Sequence, residues 1–135
     1  MSAKKWFTLE EANGLLPYVD QQLTKMQAIK REFEHKYMEL RRLKNEAAER
    51  PQTEKDPFFV QEAALEFLQI EARGVIEHFQ GTGIELKDID TGLVDFPAML
   101  DGEEVLLCWR QGEDRIRFFH GLHDGFAGRR PLADE

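Results

Sequence analysis

From Ala12 to Ala47 the apolar residues of this chain follow a heptad, and no β-structure can use a run with that spacing. Ala12, Val19, Met26, Phe33, Leu40 and Ala47 form one row. Leu16, Leu23 and Tyr37 form a second, interrupted by Lys30 and Lys44. Thr8 and Glu11 have the spacing of a capping box, with Phe7 and Ala12 placed as a hydrophobic staple, so the helix is expected to begin at Leu9. Pro17 lacks the N–H that would bond Asn13, and its ring crowds that carbonyl. The run is therefore expected to kink near residues 13–16, or to divide into a short helix and a long one, and to end before Pro51.

Residues 51–55 read as a short polar connector. Asp56 followed by Pro57 is a second helix start, and Gly81 a natural stop. Val60, Ala64, Phe67, Leu68, Ala72, Val75, Ile76 and Phe79 give helix two its apolar positions. A loop this short makes the two helices antiparallel neighbours. At ~1.5 Å per residue helix one would be roughly 60 Å long and helix two roughly 36 Å. Helix two then covers helix one only back to about residue 27. Leu15, Leu16, Val19 and Leu23 need another cover, either the segment after Gly81 or a second copy of the chain, which would make a homodimer.

After residues 81–83 the pattern changes to short runs between turn residues. Residues 84–86 and 93–96 read as strands, with Pro97 suiting an edge or a bulge. Asp101-Gly102 is a hairpin signal. Residues 104–110 and 115–120 flank a four-residue turn and form the strongest hairpin. That turn sets Trp109 opposite Ile116, Leu107 opposite Phe118 and Val105 opposite His120 as the core face. Arg110 and Arg115, Cys108 and Arg117, and Leu106 and Phe119 then pair on the other. Residues 120–132 carry three glycines and no periodicity, an irregular tail held by Leu122, Phe126 and Leu132. The fold class is thus α+β. A long, coiled-coil-like antiparallel helical hairpin (1–81) is followed by a small antiparallel β-sheet with an irregular C-terminal tail (82–135), within a single domain of 135 residues.

Charge narrows the function classes. Net charge is −8, with 11 Lys/Arg against 9 Asp/Glu before residue 56 and 7 against 17 after it. Phosphate binding needs clustered bases, so nucleic acid is disfavoured as a partner. No apolar run is long enough to span a membrane, the N-terminus lacks a signal peptide, and the one cysteine fits a reducing compartment; cytoplasm is the expected location. No P-loop, nucleophile elbow or Cys-x-x-Cys is present.

The candidates for chemistry are Asp88, Asp90, Asp95, Glu113, His120, His123 and Asp124. Clustered carboxylates and imidazoles suit a divalent metal, and Asp88, Asp95, Glu113, His120 and His123 are the first choice of ligands. Against this, the aspartates can cap turns, Glu113 can decorate a hairpin tip and His120 can end a strand. Cys108 reads as a small buried hydrophobe or, with an arginine beside it, as a nucleophile. Arg129-Arg130 suits either an anion or the acidic sheet. Two function classes follow: an interaction or scaffold protein working through the hairpin, and a metal- or ligand-binding protein with its site in the acidic half.

Residues 7–13 with Leu15-Leu16-Pro17, then 83–88 and 92–97, resemble an uncharacterised prokaryotic family, domain of unknown function 2203. So do residues 107–110 with Gly112-Glu113, and His120 with 125–129. Phe119 stands where that pattern often has tryptophan. The resemblance implies a stand-alone cytoplasmic protein and brings no activity. It draws attention to Asp88, Asp95, Cys108, Trp109, Glu113, His120 and Arg129, which match its motifs.

Overall fold

A computed structural model describes residues 5–48 and 57–133. Helix α1 (Leu9–Gly14) opens on the capping box: the Glu11 N–H donates to Thr8 Oγ1 and the Thr8 N–H to Glu11 Oε1, both at 3.0 Å. Thr8→Ala is expected to cost about 1 kcal/mol in urea denaturation. The chain turns at Leu15, then α2 (Leu16–Ala47) begins with Pro17 in its first turn, where no N–H is needed. The short helix followed by a long one is thus observed. Helix α3 is Phe59–Gln80. The expected Asp56 cap, the connector 51–55 and the end of helix one near Pro51 fall outside the described residues. No helix is long and apolar enough to cross a membrane, among the described residues.

Five strands follow: β1 (Glu85–Asp88), β2 (Leu93–Leu100), β3 (Glu103–Arg110), β4 (Phe118–His120) and β5 (Arg130–Pro131). They form one antiparallel sheet in sequence order. Asp101 and Gly102, at φ 51° and 82°, make the two-residue turn between β2 and β3. Strand β2 runs through Pro97 because β1 reaches only to Asp95; beyond it the free side of β2 meets the Phe7 N–H, which donates to Pro97 O at 2.7 Å. The missing N–H of proline therefore breaks no ladder bond. Gly92, at φ 69°, lies so close to Gln111 that a Cβ there would stand 2.4 Å from the Gln111 Cβ.

The β3–β4 register differs from the expected one by a residue. Leu106 pairs with His120, Leu107 with Phe119 and Cys108 with Phe118. Residues 111–117 are not a tight turn. The Ile116 N–H leaves the sheet to donate to Asn13 Oδ1 at 2.8 Å, so pairing resumes only at Phe118. The slip moves His120 to the face of Leu106 and Cys108, and sets Phe118 rather than Arg117 opposite the thiol. The tail is irregular as expected, with a 3-10 turn at Phe126–Gly128, and a two-residue strand within it, β5, pairs with β4.

The chain divides into two compact units. One comprises residues up to 24 and from 77 onward. Its core joins Ala12, Leu16, Val19, Leu23 and Phe79 to Val94, Phe96, Ala98, Val105, Leu107 and Trp109 of one sheet face. Leu16, Val19 and Leu23, which α3 is too short to reach, are thus buried in the unit that holds the sheet, and Leu15 is half-buried. The other unit, residues 25–76, is the helical hairpin. It buries Ile29, Leu40, Leu65 and Leu68 between α2 and α3, with Lys44 3.9 Å from Glu62.

A buried Asp–Cys–His cluster on the sheet

The second face of the sheet is built from the same alternation that faces Phe96 and Leu107 the other way. Asp95 on β2 stands directly opposite Cys108 on β3, and His120 on β4 stands opposite Leu106, one rung along. His120 leans across β3, so that its Nε2 lies 3.1 Å from Asp95 Oδ2. One ligand-type atom from each of the three residues lies within 4.8 Å of the other two, and all three side chains are buried.

The hydrogen bonds fix the histidine's tautomer. Its Nδ1 is 2.8 Å from the Gly121 carbonyl, which can only accept, so Nδ1 carries the proton. In a neutral imidazole Nε2 is then a lone pair turned toward a carboxylate. Two acceptors at 3.1 Å require a proton or a cation between them. The other carboxylate oxygen, Oδ1, is buried with no hydrogen-bond partner, and such groups cost free energy unless something binds them.

Burial raises the pKa of Asp95, opposed by His120 and more weakly by Lys87. Burial, reinforced by the charge of Asp95, pushes the Cys108 thiol up to about 11, although an Arg129 hydrogen bond works the other way. At neutral pH Cys108 is a thiol, not a thiolate, so the nucleophile reading fails for the protein in this state. Arg129 itself is held firmly. Its guanidinium lies 4.0 Å from the Phe118 ring centroid and 4.3 Å from that of Phe126, and its Nη1 is 3.0 Å from Glu113 Oε2.

Of the five expected ligands, the fold brings together Asp95 and His120. Asp88 Oδ2 accepts from the Thr91 N–H and hydroxyl and closes the β1–β2 turn. Glu113 accepts from the Arg110 N–H and pairs with Arg129. His123 and Asp90 are exposed, and Asp124 accepts from the Gly121 N–H. Trp109 lies on the opposite, core face, donating Nε1–H to the Glu113 carbonyl. Cys108, absent from that set, joins them. Its signal was present: Asp95, Cys108 and His120 are the polar or polarisable residues inside otherwise apolar strand segments. A surface cleft of about 660 Å³, lined by Leu9, Asn13, Ile116 and Leu132 among others, contains none of the three.

The model of one family, the uncharacterized conserved protein DUF2203, matches residues 5–132. The chain belongs to that family. The match spans α1, α2, α3 and all five strands, so the cluster lies within the DUF2203 region. No curated protein and no solved structure matches the chain.

Proposed function

We propose that this DUF2203 protein binds a transition-metal ion of the zinc class through Asp95, Cys108 and His120. The observation that carries this reading is the buried three-residue cluster, in which the histidine lone pair faces Asp95 Oδ2 at 3.1 Å and the other oxygen of that carboxylate has no partner. A metal-bound histidine usually donates its other N–H to a carbonyl or carboxylate, and Gly121 O takes that part here. The cation would replace the shared proton and turn the Cys108 thiol into a thiolate. Zinc bonds of ~2.0–2.3 Å place tetrahedral ligand atoms about 3.4–3.8 Å apart, so the 3.1 Å spacing of His120 Nε2 and Asp95 Oδ2 would open slightly, and no spacing within the 4.8 Å cluster would close by more than roughly 1 Å. A thiolate beside an imidazole selects zinc, cobalt or iron over magnesium and calcium. Three protein ligands leave a fourth position open, as catalytic rather than structural zinc sites do. A lone buried thiol and the absence of a spanning helix among the described residues support a reducing, cytoplasmic setting.

The test is elemental analysis of protein purified without chelator or affinity metal, followed by cobalt(II) titration of the metal-free form. One equivalent of cobalt with a thiolate charge-transfer absorption is expected, and Cys108→Ser should abolish the absorption while the circular dichroism is unchanged. No stoichiometric metal, together with no thermal shift on adding zinc, cobalt, iron or manganese, would leave His120–Asp95 as a structural bond only.

A second reading rests on a different observation. Helix α3 of the hairpin exposes Phe59, Val60, Phe67 and Ile70, which supports an interaction role for that unit.

A further inference from the structure

The exposed apolar residues of α3 are not scattered. Val60, Ala63, Phe67, Ile70 and Gly74 are all exposed and recur at spacings of three and four, the a/d pattern of a helix seam. Val60, Phe67 and Ile70 are 73%, 64% and 58% exposed. The row that packs within the protein, Leu65, Leu68, Ala72, Val75 and Phe79, lies roughly 140° around the helix at ~100° per residue. Helix α3 therefore has two apolar seams on nearly opposite sides, and α2 covers only one. The flanking charges indicate what fits the second.

We infer that this seam of α3 packs antiparallel against the same seam of a second copy of the chain. With Val60, Phe67 and Gly74 at a and Ala63 and Ile70 at d, Glu66 and Arg73 both occupy g and Glu71 occupies e. Antiparallel helices bring g against g. With Phe67 layered on Ile70 of the other copy, each Glu66 meets an Arg73, twice by symmetry. A parallel pair would instead set Glu66 against Glu71, like charge on like. Among the described residues neither Glu66 nor Arg73 has an ion-pair partner within the chain. The seam from 60 to 74 is ~21 Å long, a small contact as interfaces go, so the dimer is reversible.

Sedimentation velocity over about 1–500 µM tests this, a range that brackets micromolar association. The mass is expected to rise with concentration from 15.7 kDa toward twice that value. Phe67→Glu, at an exposed site that leaves the α2–α3 packing intact, should hold the protein monomeric throughout. Glu66→Arg, which removes both symmetry-related pairs, should weaken association about tenfold, roughly 1.4 kcal/mol for the two together, and Glu66→Arg with Arg73→Glu should restore it. A wild-type monomer at every concentration overturns the inference. So does a dimer unaffected by Phe67→Glu, or a double exchange that fails to restore what Glu66→Arg removes.

Discussion

His120→Ala is expected to destabilise the metal-free protein by about 3–5 kcal/mol, the range for removing one partner of a buried charged pair. The histidine is not a large contributor by its own area. The cost arises because Asp95 is left buried with neither oxygen bonded, Oδ1 having no partner even in the intact protein. Of a total stability of roughly 5–15 kcal/mol, that is a large share. The deficit should depend on pH in a definite direction. Burial already raises the folded-state pKa of Asp95 above its ordinary value of 3.8, and losing His120 removes the main influence that opposes the rise. The folded variant then holds its proton to higher pH than the unfolded chain. Its stability falls as pH rises above the unfolded value, and the deficit shrinks toward pH 4. Adding Asp95→Asn to His120→Ala should recover a good part of the loss at pH 7, since a buried amide costs less than a buried carboxylate. Urea denaturation at pH 4 and pH 7, in the presence of chelator, reads all of this. A His120→Ala deficit independent of pH would show that Asp95 is not the seat of the cost.

Phe96→Ala is expected to lose about 3–5 kcal/mol as well, through a different cause. Phe96 is fully buried on the core face of β2, paired across the sheet with Leu107, and its ring meets the edge of Phe7 at 5.5 Å and 83°. Truncation removes the largest apolar group at the place where the N-terminal segment docks on the sheet. Neighbouring β2 and β3 cannot close over the void without breaking their ladder, so the cavity persists. Phe67→Ala on α3 should change monomer stability by less than about 0.5 kcal/mol, because that ring is exposed. The two phenylalanines are indistinguishable by composition, and urea midpoints will separate them.

Much of the fold was legible because its signals are local. The capping box needs only residues 8–11, the break before α2 only Pro17, and the β2–β3 turn only Asp101-Gly102. The β3–β4 register was not, because its cause lies 103 residues away: Ile116 bonds Asn13 instead of a neighbouring strand. Arg115, Ile116 and Arg117 alternate as a strand does, and no nearby residue marks them as leaving the sheet. That single slip also hid the site. In the expected register His120 faced Val105 and the core, away from Cys108. Shifted by one, it joins Cys108 and reaches Asp95. Asp88 and Glu113 have the same chemistry as Asp95 but are used locally, in a turn and in a pair with Arg129. Residue type could not separate them from a true cluster member; burial does.

The Phe7 N–H bond to Pro97 has a temporal consequence. Together with Trp6–Glu104, Asn13–Ile116 and Asp20–Gln111, it ties the first two dozen residues to segments synthesised some ninety to one hundred residues later. The hairpin of residues 25–76 is complete in itself and can form while the chain is still growing. The unit that carries the cluster cannot. Its N-terminal strap, with buried Phe7 and Ala12, waits in water until β2 and β3 have emerged, and the cluster assembles only when His120, almost the last of the sheet, arrives. On the ribosome, therefore, the cluster can form only after β2, β3 and β4 have all emerged.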